Sequence, residues 1–207
     1  MVKLILVRHG RTEWNAEGRF QGQSDAPLNA VGRRQAAALS RRLSREPIAV
    51  VYASDLQRAH ETAGRIAAAH GLGVRSEPRL REMSFGAWEG LTLDEIERRD
   101  PQGLAAWQAD PLNVAPPGGE TLAQLAARVG AALNEIVQAH RDAAALLAAH
   151  GGSLQALLCL AFGLDLRRYW QFRLDLAAVS ELYVYPEGAI LTLLNDTAHL
   201  RGLKWDG

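Results

Sequence analysis

Two short apolar runs, each stopped by histidine and glycine, constrain the fold of this chain more than any other feature. Residues 4–7 lead into Arg8-His9-Gly10, and residues 143–149 lead into His150-Gly151-Gly152. A short apolar run bounded by turn residues reads as a buried strand, and the glycine behind it lets backbone approach a ligand closely. Strand ends are where open α/β sheets carry out chemistry. Two such strands, parallel and close together, would bring both imidazoles to one ligand.

The remaining pattern supplies the layers. Residues 2–7 and 48–53 read as strands, each followed by a helical run: Asn29 caps 30–43, and Ser54 or Asp55 caps a helix reaching residue 69. His70-Gly71-Leu72-Gly73 ends that helix, and 74–76 is a short strand. Thr121 and Gln124 form a capping-box pair ahead of a helix to about His140; the strand 143–149 and a helix through Phe162 follow. Strand-like runs at 179–185 and 189–194 flank Pro186-Glu187-Gly188, a hairpin pattern suited to a sheet edge. Apolar strands alternating with helices predict a three-layer α/β/α fold, with a mainly parallel sheet and helices on both faces. Between residues 83 and 119 the character changes to Gly, Pro and Trp among short helical pieces, ending in Pro116-Pro117-Gly118-Gly119. This reads as a small helical cap inserted into a single domain over 1–207.

Composition narrows the partners. The 207 residues carry 23 basic and 23 acidic side chains, so no charge excess recruits nucleic acid or an acidic membrane. Nearly all basic residues are arginine, Lys3 and Lys204 excepted, and Arg33, Arg34, Arg41, Arg42 and Arg45 gather on one helix and its end as a solvated face. Cys159 is the only cysteine, which excludes an intrachain disulfide and favours a cytoplasmic setting. Lying in an apolar helical run, it reads as a buried small hydrophobe. The N-terminus lacks the ordered regions of a secretory signal. The apolar stretch 143–164 is broken at its centre by His150, Gly151, Gly152, Ser153 and Gln155, against a membrane span. His60-Glu61 opens like a zinc motif, but Gly64 stands where the second histidine belongs, and Gly71-Leu72-Gly73 lacks the spacing of a dinucleotide loop. His60, His70, His140 and His199 read as histidines satisfied within the fold.

Arg58 falls in the first turn of the helix after the second strand, where the helix N-terminus and a guanidinium fork both suit a phosphate. Glu82 adds a carboxyl group at the start of the cap, with Glu89 the next carboxylate along. Taken in order, Arg8-His9-Gly10-Arg11-Thr12-Glu13-Trp14-Asn15, Gln21-Gly22 through Asp25-Ala26-Pro27-Leu28, Ser54-Asp55-Leu56-Gln57-Arg58-Ala59, Arg81-Glu82-Met83-Ser84-Phe85-Gly86 and His150-Gly151-Gly152 resemble the histidine phosphatase superfamily. The resemblance is to its phosphoglycerate mutase-like branch and covers essentially the whole chain. It implies that His9 is the nucleophile that becomes phosphohistidine. Arg8, Arg58 and His150 would hold the phosphoryl group, with Asn15, Gln21, Gly22 and the Gly151 backbone around it. Glu82 would protonate the leaving oxygen and then take a proton from the attacking water. Such chemistry suits these residue types, because a neutral imidazole can approach an anionic ester while cations offset charge on its oxygens. No metal and no cofactor are needed.

The same site can pass the phosphoryl group to water or to another hydroxyl. Cofactor-dependent phosphoglycerate mutases read Glu-Arg-His-Tyr-Gly after the acid and carry a larger, more basic insertion. This chain reads Glu82-Met83-Ser84-Phe85-Gly86, with Trp88, Trp107, Pro116 and Pro117 nearby. The resemblance therefore favours hydrolysis of a small-molecule phosphate ester over mutase activity. A binding module without turnover is disfavoured, since His9, Arg58 and Glu82 are all present. Residues 164–170 and 194–200 are similar to α-ribazole phosphatases, which makes α-ribazole 5'-phosphate a candidate beside sugar and glycerate phosphates. The aromatic side chains of the cap suit stacking on a heterocycle, and equally suit a core. A homodimer is left open as the assembly.

Overall fold

The computed structural model describes residues 1–203, so Lys204 lies outside the described residues. Val2–Arg8 (β1), Ile48–Ala53 (β2), Val74–Ser76 (β3), Ala144–Ala149 (β4), Val179–Tyr185 (β5) and Gly188–Asp196 (β6) form one sheet in the order β3-β2-β4-β1-β5-β6. The first four in that order run parallel, and the β5–β6 hairpin joins antiparallel beside β1. The helices are Glu13–Ala16 (α1), Ala30–Leu43 (α2), Gln57–Ala69 (α3), Leu93–Arg99 (α4), Pro101–Ala109 (α5), Leu122–Ala139 (α6) and Gly151–Ala161 (α7).

Alternation along the central strands builds the two outer layers. Leu4 and Leu6 of β1, with Ala145 and Leu147 of β4, pack against Leu125, Val129, Leu154 and Leu157 of α6 and α7. Ile5 and Val7, with Leu146 and Ala148, face Leu39, Leu43, Ala63 and Ile66 of α2 and α3. Strands covered on both faces carry no polar residue to spare, which is why β4 is buried along its full length. Residues 83–119 contribute α4 and α5 and a separate cluster in which Trp88, Ile96 and Leu104 are buried together. Trp88 and Trp107 meet edge to face, with ring centroids 5.7 Å apart. Of the two roles open to the aromatics of this segment, these tryptophans serve as core.

The capping signals at Asn29 and at Thr121 with Gln124 act as the sequence implies. The one ahead of α3 does not. Leu56 occupies the capping position without a side-chain bond, and the N–H of Gln57 is taken instead by Asp25, 32 residues away, at 2.7 Å. Asp55 is drawn off into a two-bond pair with Arg81, at 2.8 and 2.5 Å. Tertiary partners outcompete the local cap because a charged fork offers a carboxylate two bonds where one backbone N–H offers one.

One close approach fixes where α2 begins relative to β1. A methyl group on Gly10 would stand 2.6 Å from the Gly32 carbonyl oxygen, and one on Gly32 would collide with the Arg11 carbonyl. Gly32→Ala raises helix propensity, yet overpacking dominates, so the variant should lose about 1–3 kcal/mol in a urea titration. A gain in stability would show that the two segments can separate freely.

Candidate active site

In-register parallel pairing places the histidines. Arg8 sits opposite Ala149 in the β1–β4 ladder, and the His9 N–H continues that ladder to the Ala149 carbonyl at 3.0 Å. The next residues, His9 and His150, therefore emerge side by side at the carboxyl ends of their strands, with ring centroids 5.1 Å apart. Both are buried.

Their hydrogen bonds give the two rings opposite polarity. The Gly10 carbonyl oxygen can only accept, so His9 Nδ1, 2.7 Å from it, carries the proton and leaves a lone pair on Nε2. Arg58 Nε can only donate, so His150 Nδ1, at 3.2 Å, accepts and the proton lies on Nε2. That His150 Nε2 is buried with no partner among the described residues, as is Arg8 Nε. Two N–H donors thus stand beside a ring nitrogen able to attack.

Arg58 is fully buried, and three of its five N–H groups are committed. Besides His150, it donates from Nη1 to the Ser24 carbonyl at 2.8 Å and from Nη2 to the Gly22 carbonyl at 2.7 Å. Burial draws its pKa down to about 10, with the Glu82, Asp25 and Glu89 carboxylates opposing, so it stays cationic at neutral pH. Arg8 is also lowered by burial and supported by Glu82 and Asp175; its Nη1 donates to the Leu174 carbonyl at 2.6 Å.

Arg8, His9, Asn15, Gln21, Gly22 and Glu82 line, with Arg58, one cleft of about 240 Å³, whose rim includes Arg19, Phe20 and Phe85. Asn15 turns its Oδ1 inward, accepting from the Thr12 N–H at 3.1 Å, which frees its amide N–H₂. Gln21 Oε1 accepts from the buried Thr12 hydroxyl at 2.9 Å. Gly22 adopts a left-handed conformation, and a side chain there would collide with Glu89. Gly151 lies against the Arg8 guanidinium: a methyl group at that position would stand 3.4 Å from it.

The two candidate carboxylates are used differently. Glu82 accepts from the N–H groups of Gly152 at 3.1 Å, Ser153 at 3.2 Å and Met83 at 2.9 Å, which lays it across the first turn of α7. Glu89 accepts from Gln23, Ser24 and Phe85 and pins the 22–24 loop to the 83–119 segment. Both carboxylates have both oxygens engaged; what separates them is that Glu82 lines the cleft at His9 and Glu89 is not among its lining residues. Tyr52 and His140 bond to each other at 2.9 Å, and His199 bonds to the Ala177 carbonyl at 3.0 Å, both away from the cleft. Among the described residues no group of three His, Cys, Asp or Glu side chains is placed to hold a metal ion, and no helix is long and apolar enough to cross a membrane.

A family model for the histidine phosphatase superfamily (branch 1) matches residues 4–197. The chain belongs to that superfamily. It is 38% identical over 200 residues to phosphoserine phosphatase 1 of Hydrogenobacter thermophilus, covering 97% of this chain and 95% of that one. It is 36% identical over 210 residues to a "probable phosphoglycerate mutase" of Yersinia enterocolitica, at 97% and 95% coverage. The solved structure of the α-ribazole phosphatase from Shigella flexneri superposes with a TM-score of 0.88 at 30% identity, over 94% of this chain and 96% of that one. This superfamily histidine phosphatase is accordingly an enzyme of phosphatase or mutase type.

The sequence pattern passes over a second tier of residues. Arg128 of α6 donates to the carbonyls of Arg79, Arg81 and Glu82, each at 2.7 Å, and forms a two-bond pair with Glu120 at 3.1 and 2.5 Å. Glu120 in turn accepts from the Ser84 N–H at 2.9 Å. One guanidinium therefore holds both sides of Glu82. No motif announces it, because the carbonyls it binds lie 46 to 49 positions away. Arg128→Lys keeps the charge but cannot span these acceptors, and a loss of about 1–3 kcal/mol in denaturant unfolding is expected.

Burial and the Arg58 and Arg8 charges hold His9 well below the ordinary histidine pKa, and burial, Arg58 and His9 do the same for His150. In the unfolded chain each takes up a proton below about pH 6.5. Stability is then full above that pH and falls as pH drops through it, by up to about 1.4 kcal/mol per unit for each ring. His140 and His199, also lowered chiefly by burial, add to the slope with the same sign. Urea unfolding between about pH 5 and 7 should show this slope, and His9→Gln/His150→Gln should flatten much of it. A slope indifferent to both substitutions would mean that the rings are protonated in the folded protein.

Proposed function

We propose that this protein hydrolyses small phosphate monoesters in two steps, through phosphohistidine on His9 and without a metal ion. The observation that carries this reading is the opposite polarity of the paired imidazoles: an Nε2 lone pair on His9 beside an unpartnered Nε2–H on His150. His9 Nε2 attacks phosphorus and the bond to the ester oxygen breaks. Glu82 delivers a proton to that oxygen. The phosphoryl oxygens are met by His150 Nε2–H, Arg8 Nε–H, the free N–H groups of Arg58 and the Asn15 amide, with Gln21, Gly22 and the Gly151 backbone completing the cradle. In the second step water attacks the phosphohistidine, Glu82 takes its proton, and inorganic phosphate leaves with His9 restored. The 83–119 segment acts as the cap, with Phe85 at the mouth of the cleft.

The cleft at His9, about 240 Å³, has room for a phosphoryl group and a small alcohol portion beside Phe20 and Phe85. α-Ribazole 5'-phosphate, phosphoserine, phosphoglycerate and simple sugar phosphates therefore form the first substrate panel. Transfer to a second hydroxyl uses the same phosphoenzyme; phosphoglycerate isomerisation stimulated by a bisphosphoglycerate would mark that activity.

Rapid quenching during turnover in excess chelator should trap phosphate in an acid-labile, base-stable linkage that disappears in His9→Ala. Label on Ser, Asp or Cys159, or loss of activity with chelator, would overturn the proposal. Glu82→Gln should slow phosphorylation by alkyl esters by about 10²- to 10⁴-fold, and by esters of acidic phenols far less, because the latter depart without protonation. Equal losses in single-turnover measurements would remove Glu82 from the acid role.

A further inference from the structure

We infer that the cleft adjoining the phosphoryl pocket binds a second anionic group of the substrate, a carboxylate or a further phosphate, through Arg11 and Arg201; the inference rests on phosphoryl transfer at His9 as proposed above. This cleft measures about 700 Å³ and lies at the same end of the sheet, bordered by Leu176 and Thr197 at the base of the β5–β6 hairpin. Arg8 and Asn15 line both spaces, so one ligand can occupy the two together.

The guanidinium groups of Arg11 and Arg201 border the cleft without a hydrogen bond or ion pair to another described residue. Arginines elsewhere around the site are tied down: Arg19 to Glu95 and Gly90, Arg81 to Asp55, Arg128 to Glu120. Arg11 is held at its root, where its backbone N–H donates to the buried Gln35 Oε1 at 2.8 Å, while its side chain stays uncommitted. Among the described lining residues the one carboxylate, Asp175, is engaged by Arg173 and by Asn195 Nδ2, each at 3.0 Å. Among the described residues, three arginines against one partnered acid give the cleft a positive lining. An ester whose alcohol carries a carboxylate or phosphate gains charge-assisted bonds there, and an uncharged alcohol of the same size gains none.

The test compares matched esters, 3-phosphoglycerate with glycerol 3-phosphate, and fructose 1,6-bisphosphate with fructose 6-phosphate, in wild type and in Arg11→Gln/Arg201→Gln. The ratio of kcat/KM for the doubly anionic ester over its partner should fall about tenfold in the variant, through KM. Loss in the first pair alone assigns a carboxylate and loss in the second a phosphate, while Arg11→Lys should retain most of the preference. Ratios unchanged by the substitutions overturn the inference, as does an equal loss on both members of each pair. Calorimetric titration of the same esters into His9→Ala reads the subsite without turnover: selective binding lost in the arginine variants supports it, and equal affinities overturn it. Hydrolysis that survives His9→Ala defeats the phosphohistidine reading separately.

Discussion

A guanidinium buried to zero exposure at the head of α3 governs the architecture around it. Removing a charge from water is expensive unless its hydrogen bonds are replaced, so the Arg58 side chain is stable only where acceptors surround it. It finds them in three separate places: the carbonyls of Gly22 and Ser24 and the ring of His150. Those contacts draw the 21–24 loop, the start of α3 and the β4–α7 junction onto one point. They also set the His150 tautomer, because a donor on Nδ1 would face a donor. Burial first, then this same cation and Arg8, hold the His9 pKa well below the ordinary histidine value. A single buried charge thus ties these segments together and sets the His150 tautomer, while the Gly10 carbonyl sets that of His9.

Carboxylates near this cation divide the labour according to what surrounds them. Glu89 is saturated by backbone and hydroxyl donors from the 22–24 loop and Phe85. Glu120 braces Arg128, which grips the carbonyls flanking Glu82. Glu82 borders the cleft and lies over the N-terminal turn of α7, accepting from the Gly152 and Ser153 N–H groups. The approach depends on Gly152: a methyl group there would stand 2.6 Å from Glu82 Oε1. Chemically identical side chains thus end up bracing loops or facing the cleft, according to their neighbours.

The layered fold was largely legible because burial on two faces forces long apolar strands, and the periodicity of α2, α3 and α6 shows which faces they cover. The strand-end histidines were legible for the same reason: a buried strand has one place to put a polar residue, its end. The α3 cap was misread because Asp25 and Arg81 reach it across the fold. Trp88 and Trp107 were ambiguous, since the same composition builds a stacking surface or a core, and only their mutual packing decides.

What the sequence determined by itself was the set of groups delivered to the ends of β1 and β4, since alternation and glycine placement permit few alternatives. The tertiary structure decided which nitrogen of each imidazole carries the proton and which carboxylate borders the cleft. It also decided that Arg128 holds Glu82 and that Arg11 and Arg201, lining the cleft with Arg8, have no side-chain partner among the described residues. These properties depend on partners tens of residues away, and a hydrogen bond's direction exists only once donor and acceptor are brought within about 3 Å.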